Sequence, residues 1–186
     1  MNNTNFEIKV RDGLSLKLRH LEDAEAFFQL VDSNRNYFRP WLDWVDFTVS
    51  TDDTRIFIQK CLDGFEKKVS ADLGVMYEGQ WVGSMGFHTI ELENGWAEIG
   101  YWLSKDHTGK GIMTDCVKAM IDYGFKTLNL HRIQIKCDSA NVASKAIPER
   151  LGFNLDGTIR EDRKHNGQYS STLVYGLLES EWPIKQ

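Results

Sequence analysis

The segment from Ala97 to Leu128, AEIGYWLSKDHTGKGIMTDCVKAMIDYGFKTL, passes from a strand-like run through a glycine loop into a helix, and this order limits the folds open to the chain. Tyr101, Trp102 and Leu103 end the strand-like run, Gly109 and Gly111 bracket Lys110, and Met113, Val117, Met120, Ile121 and Gly124 recur at helical spacing. Main-chain N–H groups without partners at a helix start, reached through glycines that let the backbone approach closely, direct partial positive charge at a phosphate or pyrophosphate. An ordinary tight turn has the same look. The spacing excludes two common phosphate motifs, since neither G-x-x-x-x-G-K-[ST] nor a G-x-G-x-x-G after a strand is present.

A length of 186 residues, 41% hydrophobic and 26% charged, suits one globular domain with a sizeable core. The formal charge of −5 gives no net attraction to nucleic acid and favours a cationic partner. Cys61, Cys116 and Cys137 are odd in number, lack C-x-x-C spacing and sit in apolar runs, as core thiols of a reducing compartment do. The first residues, MNNTNFEIKVRDG, hold no apolar stretch like a signal peptide, and nowhere do 18 apolar residues run together. The expectation is a cytoplasmic protein without membrane attachment. The five histidines show no H-x-x-x-H spacing, so no metal site is expected.

No repeat or proline-rich linker divides the chain. Leu14, Leu16 and Leu18 alternate as in a strand, and Ala24, Phe27, Phe28 and Val31 follow at helical spacing. The aromatic segment 36–49 has no clean period and contains Pro40, which reads as an irregular loop. It is either cover over the core or one wall of a substrate pocket with Asp43 and Asp46 facing a cation. Ser50 and Asp53 form a capping box before a helix with Ile58, Cys61, Leu62 and Phe65 as its buried stripe, ending near Lys67. Three antiparallel strands follow, 73–77, 81–90 and 96–103, with turns at Glu78-Gly79-Gln80 and Asn94-Gly95. Ile133, Ile135 and Cys137 mark another strand. Asn141 caps a short helix that Gly152 stops, with Pro148 tolerable only in its first turn or as the cause of irregularity, and a final strand pair, 155–160 and 169–178, turns at Asn166-Gly167.

The resulting order, β-α-α-β-β-β-α-β-α-β-β, with GYWL, TGKGIMTD and NVASKAIPERLGF in sequence, resembles the GNAT superfamily of N-acetyltransferases, RimJ/RimL ribosomal-protein type, from Leu14 to Leu178. The resemblance implies an α+β, acyl-CoA N-acyltransferase fold: a mixed, mostly antiparallel twisted sheet flanked by helices in three layers, α/β/α. A single domain is placed at 10–179, with an N-terminal extension 1–9 and a C-terminal tail 180–186. The family's loop pattern, Gln or Arg, two residues, Gly, one residue, then Gly or Ala, falls on Thr108, Gly111 and Met113, and departs at the first and last positions. With no long polar side chain at 108, phosphate contact rests on backbone amides, Lys110 and the Thr108 hydroxyl.

The resemblance further implies acetyl-CoA as co-substrate. Trp102 and Leu103 run beside the pantetheine arm, Thr108, Gly109, Lys110, Gly111, Ile112 and Met113 hold the pyrophosphate, and Asn141 and Ser144 meet the arm from the other side. Lys110, Lys145 and Arg150 are candidates for the adenosine phosphates. Acetyl transfer needs a neutral amine, an N–H donor for the oxyanion and a proton for the thiolate. Glu98, on the strand face of Trp96, Gly100 and Trp102, is the first candidate base, against an edge carboxylate or a structural ion pair; Glu161, in a mixed charge run, is the second. Ser144 is the candidate proton donor by resemblance, with Tyr169 and Tyr175 to be tested beside it, and the oxyanion donor is a main-chain N–H near Trp102. The expected acceptor is a protein N-terminus, a ribosomal protein by resemblance, with a small cationic amine (a polyamine or aminoglycoside) or a non-catalytic acyl-CoA sensor as alternatives. Direct nucleic-acid binding is not expected; a homodimer is.

Overall fold

The computed structural model describes residues 5–165 and 167–182. The chain runs β1 (Glu7–Arg11), β2 (Leu14–Lys17), α1 (Ala24–Phe38), α2 (Thr51–Glu66), β3 (Ala71–Tyr77), β4 (Gln80–Glu91), β5 (Trp96–Leu103), α3 (Ile112–Lys126), β6 (Arg132–Asp138), α4 (Val142–Arg150), β7 (Asn154–His165) and β8 (Gln168–Leu178), with short 3-10 turns between. The strands form one sheet in the order β1-β2-β3-β4-β5-β6-β8-β7. Every neighbouring pair is antiparallel except β5 and β6, which run parallel because α3 carries the chain back to the end where β5 began.

Helices cover both faces. On one, Phe87, Ile99 and Ile133 of the sheet are buried against Val117, Met120 and Ile121 of α3, and Gly124 admits the close approach, since a Cβ there would meet Phe87 at 2.8 Å and Ile133 at 2.9 Å. On the other, Gly74 leaves room for Phe27 of α1 and for Trp81, each nearer than 3 Å to where a Cβ would stand. Truncating a buried side chain such as Phe87 costs about 3–5 kcal/mol by lost transfer energy and the cavity left behind. The core thus fixes the sheet between two helix layers and holds the ends of β5 and β6 in place.

The box at the start of α2 forms as the sequence implies: the Ser50 hydroxyl accepts from the Asp53 N–H and Asp53 accepts from the Ser50 N–H at 2.9 Å. Four local features go beyond the sequence reading. Residues 36–38 of the aromatic segment continue α1, which ends only where Pro40 forbids it, and Asp43–Asp46 form a 3-10 turn. Glu7–Arg11, partly within the N-terminal extension, pair with β2 as an edge strand; a short strand with Glu7, Lys9 and Arg11 on one side shows little apolar periodicity. Within the tail, Trp182 donates its indole N–H to Asp122 of α3 at 2.8 Å. Pro148 lies inside α4, beyond the first turn. Of the final hairpin's turn, Gly167 has φ +80°, whereas Asn166 lies outside the described residues. No helix among the described residues is long and apolar enough to cross a membrane.

Candidate active site

The β5–β6 ladder runs from Trp96↔Arg132 to Ile99↔Ile135 and stops, although both strands continue. Into the resulting gap open the start of α3, one side of α4 and the end of α1, and together they line a cavity of about 540 Å³. The Ser104 N–H donates to the Val82 carbonyl at 2.8 Å. Antiparallel alternation therefore aims the Trp102 and Gly100 amides at β4 and those of Tyr101 and Leu103 at the gap.

At one end of the cavity the loop 108–111 delivers the chain to α3. Gly109 and Gly111 both take φ +74°, a conformation that costs a glycine little. A Cβ on Gly109 would meet nothing within 4 Å, and one on Gly111 only Asp115 at 4.0 Å, so this backbone lies open to a ligand. No side chain caps α3, and its first residues, Ile112, Met113 and Thr114, line the cavity with the N–H groups that a helix start leaves over. The arrangement fits a pyrophosphate. Arg150 reaches the same end, donating to the Thr114 hydroxyl at 3.0 Å.

Of the anticipated cofactor residues, Trp102, Leu103, Thr108, Gly109, Gly111, Ile112, Met113, Asn141 and Ser144 line the cavity, as does Arg150, whereas Lys110 and Lys145 do not. Lys110 is exposed on the loop. The Thr108 hydroxyl donates to the Lys105 carbonyl at 2.8 Å, so its proton is held within the turn and is not offered to a phosphate. Asn141 caps α4 by accepting from the Ser144 N–H at 3.0 Å.

The middle of the cavity holds a group the sequence reading passed over. Tyr101 lines it, its hydroxyl 2.9 Å from the Ser144 carbonyl oxygen and 3.4 Å from Ser144 Oγ. Burial pushes the Tyr101 phenol above its ordinary 10, with the Ser144 hydrogen bond opposing, so it stays protonated and donates. Cys137, below Ser144 on β6, has a thiol pushed up to about 11, chiefly by burial, and is correspondingly unreactive. Alternation along β5 places Tyr101 opposite Trp102, but only the split between β5 and β6 makes its face a cavity wall.

The other end is aromatic. Tyr37, Phe38, Trp41 and Leu42 line it, and Trp102 packs edge-on to Phe38 with ring centres 5.1 Å apart. This makes the aromatic segment both core cover and cavity wall. Its acids face arginines of the protein: Asp46 pairs with Arg39 at 2.9 Å, and Asp43 with Arg163 of β7 at 3.6 Å.

The two candidate bases lie outside the cavity lining. Glu98 shares the sheet face of Trp102, four residues back along β5 and away from the Tyr101 face, one oxygen bound by Lys136 at 2.9 Å and Gln134 at 2.9 Å, the structural ion pair of the competing reading. Glu161 is exposed at a bulge of β7 with φ +50°, its N–H donating to Ser171 Oγ at 3.1 Å. Tyr175 is buried away from the cavity, donating to Glu149 at 2.9 Å, and Tyr169 is exposed under Lys164. His107 lines the cavity with Nδ1 2.8 Å from Ser104 Oγ. Among the described residues no three His, Cys, Asp or Glu side chains are placed to hold a metal.

Comparison with known proteins gives a consistent pattern. Residues 15–154 match the family described as the acetyltransferase (GNAT) domain. The ribosomal-protein-serine acetyltransferase of Escherichia coli (strain K12) is 30% identical over 171 residues, covering 92% of this chain and 97% of that protein. Among solved structures, RimL, a ribosomal L7/L12 alpha-N-protein acetyltransferase in complex with coenzyme A, superposes with a TM-score of 0.89 at 29% identity, covering 93% of this chain and 98% of its own. The microcin C7 self-immunity acetyltransferase in complex with acetyl-CoA and AMP gives a TM-score of 0.87 at 29% identity over 91% and 94% of the two chains.

Proposed function

Because the chain belongs to the GNAT family of acetyltransferases, enzymes that draw on acetyl-CoA, we propose that it acetylates the N-terminal α-amine of a protein, a ribosomal protein being the favoured acceptor. The observation that carries this reading is the continuous cavity, with an uncapped helix start and open glycines at one end and an aromatic mouth at the other. Such a shape separates an anion-binding end from an acceptor end across the broken ladder.

Acetyl-CoA supplies the thioester. The first turn of α3, helped by Arg150, binds its pyrophosphate. The Tyr101 and Leu103 amides, on either side of Trp102, face the gap and serve as donors to the oxyanion. Ser144 Oγ meets the departing sulfur, while the Tyr101 hydroxyl fixes the α4 backbone beneath it. An α-amine, with an ordinary pKa of about 7.7–8.0, needs less deprotonation than a lysine near 10.4, which suits a site where the Tyr101 proton is committed to a carbonyl.

Cytoplasmic residence and pairing with a second copy belong to the same reading. The buried free thiols Cys61, Cys116 and Cys137 support the first, and the exposed apolar Phe47, Val49 and Ile56 the second. Calorimetry with acetyl-CoA, followed by thiol release with an N-terminal peptide panel and with spermidine, tests the proposal. Saturable binding with peptide-dependent release is expected. Release only with spermidine would move the acceptor to small amines, and binding without release would reduce the chain to a sensor.

A further inference from the structure

His88 stands on β4, on the sheet face of Glu98 and Trp102. Its ring rests over Gly100 of β5, where a Cβ would come within 2.0 Å of Cε1, so glycine is what lets the imidazole lie across the strand. Nε2 is 3.3 Å from Asp72 Oδ2, and the side chain is 52% exposed. Asp72 is buried and held in turn: Arg19 and Ser84 both donate to its Oδ1, Ser84 at 2.7 Å. Among the described residues Nδ1 has no hydrogen-bond partner.

This is the arrangement that makes an imidazole a base. A buried carboxylate that accepts from one ring nitrogen fixes the tautomer and leaves the lone pair on the other. Gly100 is two residues from Trp102, about 7 Å along a strand, so the ring shares the sheet face of Trp102, which walls the cavity, while His88 itself stands outside the lining. Glu98, two residues the other way, is already bound by Lys136 and Gln134.

We propose that His88, oriented by Asp72, accepts the proton of the acceptor's ammonium group. The inference rests on the acetyl-transfer reading above. One proton passes from the ammonium to Nδ1 and then to solvent. The freed nitrogen lone pair forms the C–N bond, the C–S bond breaks with its electron pair leaving on sulfur, and the second nitrogen proton neutralises the thiolate, leaving the amide N–H. The charged groups facing the ring are Asp72 from β3, Arg19 from the segment after β2 and Glu98 from β5. Burial works against the protonated ring, but the Asp72 hydrogen bond and the Asp72 and Glu98 charges outweigh it, Arg19 opposing, and hold its pKa above 6.5. That strengthens the base toward an amine of pKa about 8.

The experiment compares the parent with His88→Gln, and with Gly100→Ala, which displaces the ring while keeping the histidine. Two acceptors are used at pH 6.5: an N-terminal peptide and its aminooxy analogue, whose nitrogen is already neutral. With the peptide, kcat/KM should fall about 100-fold in both variants; with the aminooxy analogue it should fall less than about threefold, and acetyl-CoA affinity by calorimetry should not move. Equal losses with both acceptors would mark a merely structural role and overturn the proposal, as would no loss with the peptide. Failure of the parent to acetylate either acceptor would overturn the transfer reading itself, and this inference with it.

Discussion

The Tyr101 hydroxyl donates to the main-chain carbonyl of Ser144, the one carbonyl of α4 that Pro148, four residues on and lacking an N–H, cannot engage. A proline past the first turn ordinarily leaves such an acceptor unpartnered. Here β5 repairs the helix, and the repair ties the cavity's two walls together at Ser144. Tyr101→Phe should lower unfolding free energy by about 1 kcal/mol. In a Pro148→Ala background the new N–H satisfies the carbonyl, so the same change should cost less. A denaturation double-mutant cycle reads the coupling, and strict additivity would refute the link.

Gly111 separates backbone strain from charge at the cradle. Gly111→Ala keeps the site uncharged and should cost about 1 kcal/mol of stability through its positive φ, with acetyl-CoA affinity reduced only modestly. Gly111→Asp adds a carboxylate at the start of α3 beside Asp115 and should reduce affinity at least tenfold further. Calorimetry distinguishes the two; equal affinities would remove the pyrophosphate from this end.

Asn141, not Ser144, caps α4, which leaves the Ser144 hydroxyl for the role proposed above at the leaving sulfur. Ser144→Ala should therefore lower kcat about tenfold or more with acetyl-CoA affinity within twofold. Steady-state kinetics beside binding data check this, and a loss confined to affinity would return Ser144 to a purely binding role.

Arg163 on β7 and Asp43 in the aromatic segment pair at 3.6 Å, joining β7 to the segment whose Trp41 and Leu42 line the proposed acceptor end. Both are well exposed, and exposed pairs contribute only about 0–1 kcal/mol. Arg163→Ala should leave the melting temperature almost unchanged while raising KM for the peptide acceptor several-fold, the KM for acetyl-CoA holding constant. Identical shifts in both KM values would contradict an acceptor-side role.

The Arg19–Asp72–His88 chain also sets a pH dependence of stability. Burial alone would raise the Asp72 carboxyl, but Arg19, His88 and Ser84 outweigh it and hold it well below the usual carboxylate range. Its contribution is complete above the unfolded value of about 3.9 and is lost only in strong acid. His88 has the opposite sign: its folded pKa lies above 6.5, so its contribution is full below that value and fades as pH rises through the folded pKa. His88→Asn should thus lower the melting temperature more at pH 5.5 than at pH 8.5. An equal or reversed difference in thermal scans would show that the imidazole gains nothing from Asp72 on protonation.

Features written in local chemistry were legible in the sequence. Ser50 with Asp53 announced the α2 start, Asn94-Gly95 the β4–β5 turn, with Gly95 at φ +66°, and the glycines at 109 and 111 the approach to α3. Those that depend on the partner element were not. Nothing near Tyr101 reveals that β6 turns away opposite it, and nothing near Glu98 shows Lys136 arriving from the neighbouring strand. His88 reads as a lone strand histidine, because its meaning lies in Asp72 across one ladder and Gly100 across the other.

A sheet normally has two edges, here β1 and β7. The early end of the β5–β6 ladder gives this one a third, enclosed within the molecule between α3, α4 and α1. An outer edge invites any extended chain, and with it aggregation. An inner edge admits only something narrow enough to slide between two helices, so the hydrogen-bonding appetite of a free strand becomes a filter for thin, amide-bearing molecules while remaining hidden from other proteins.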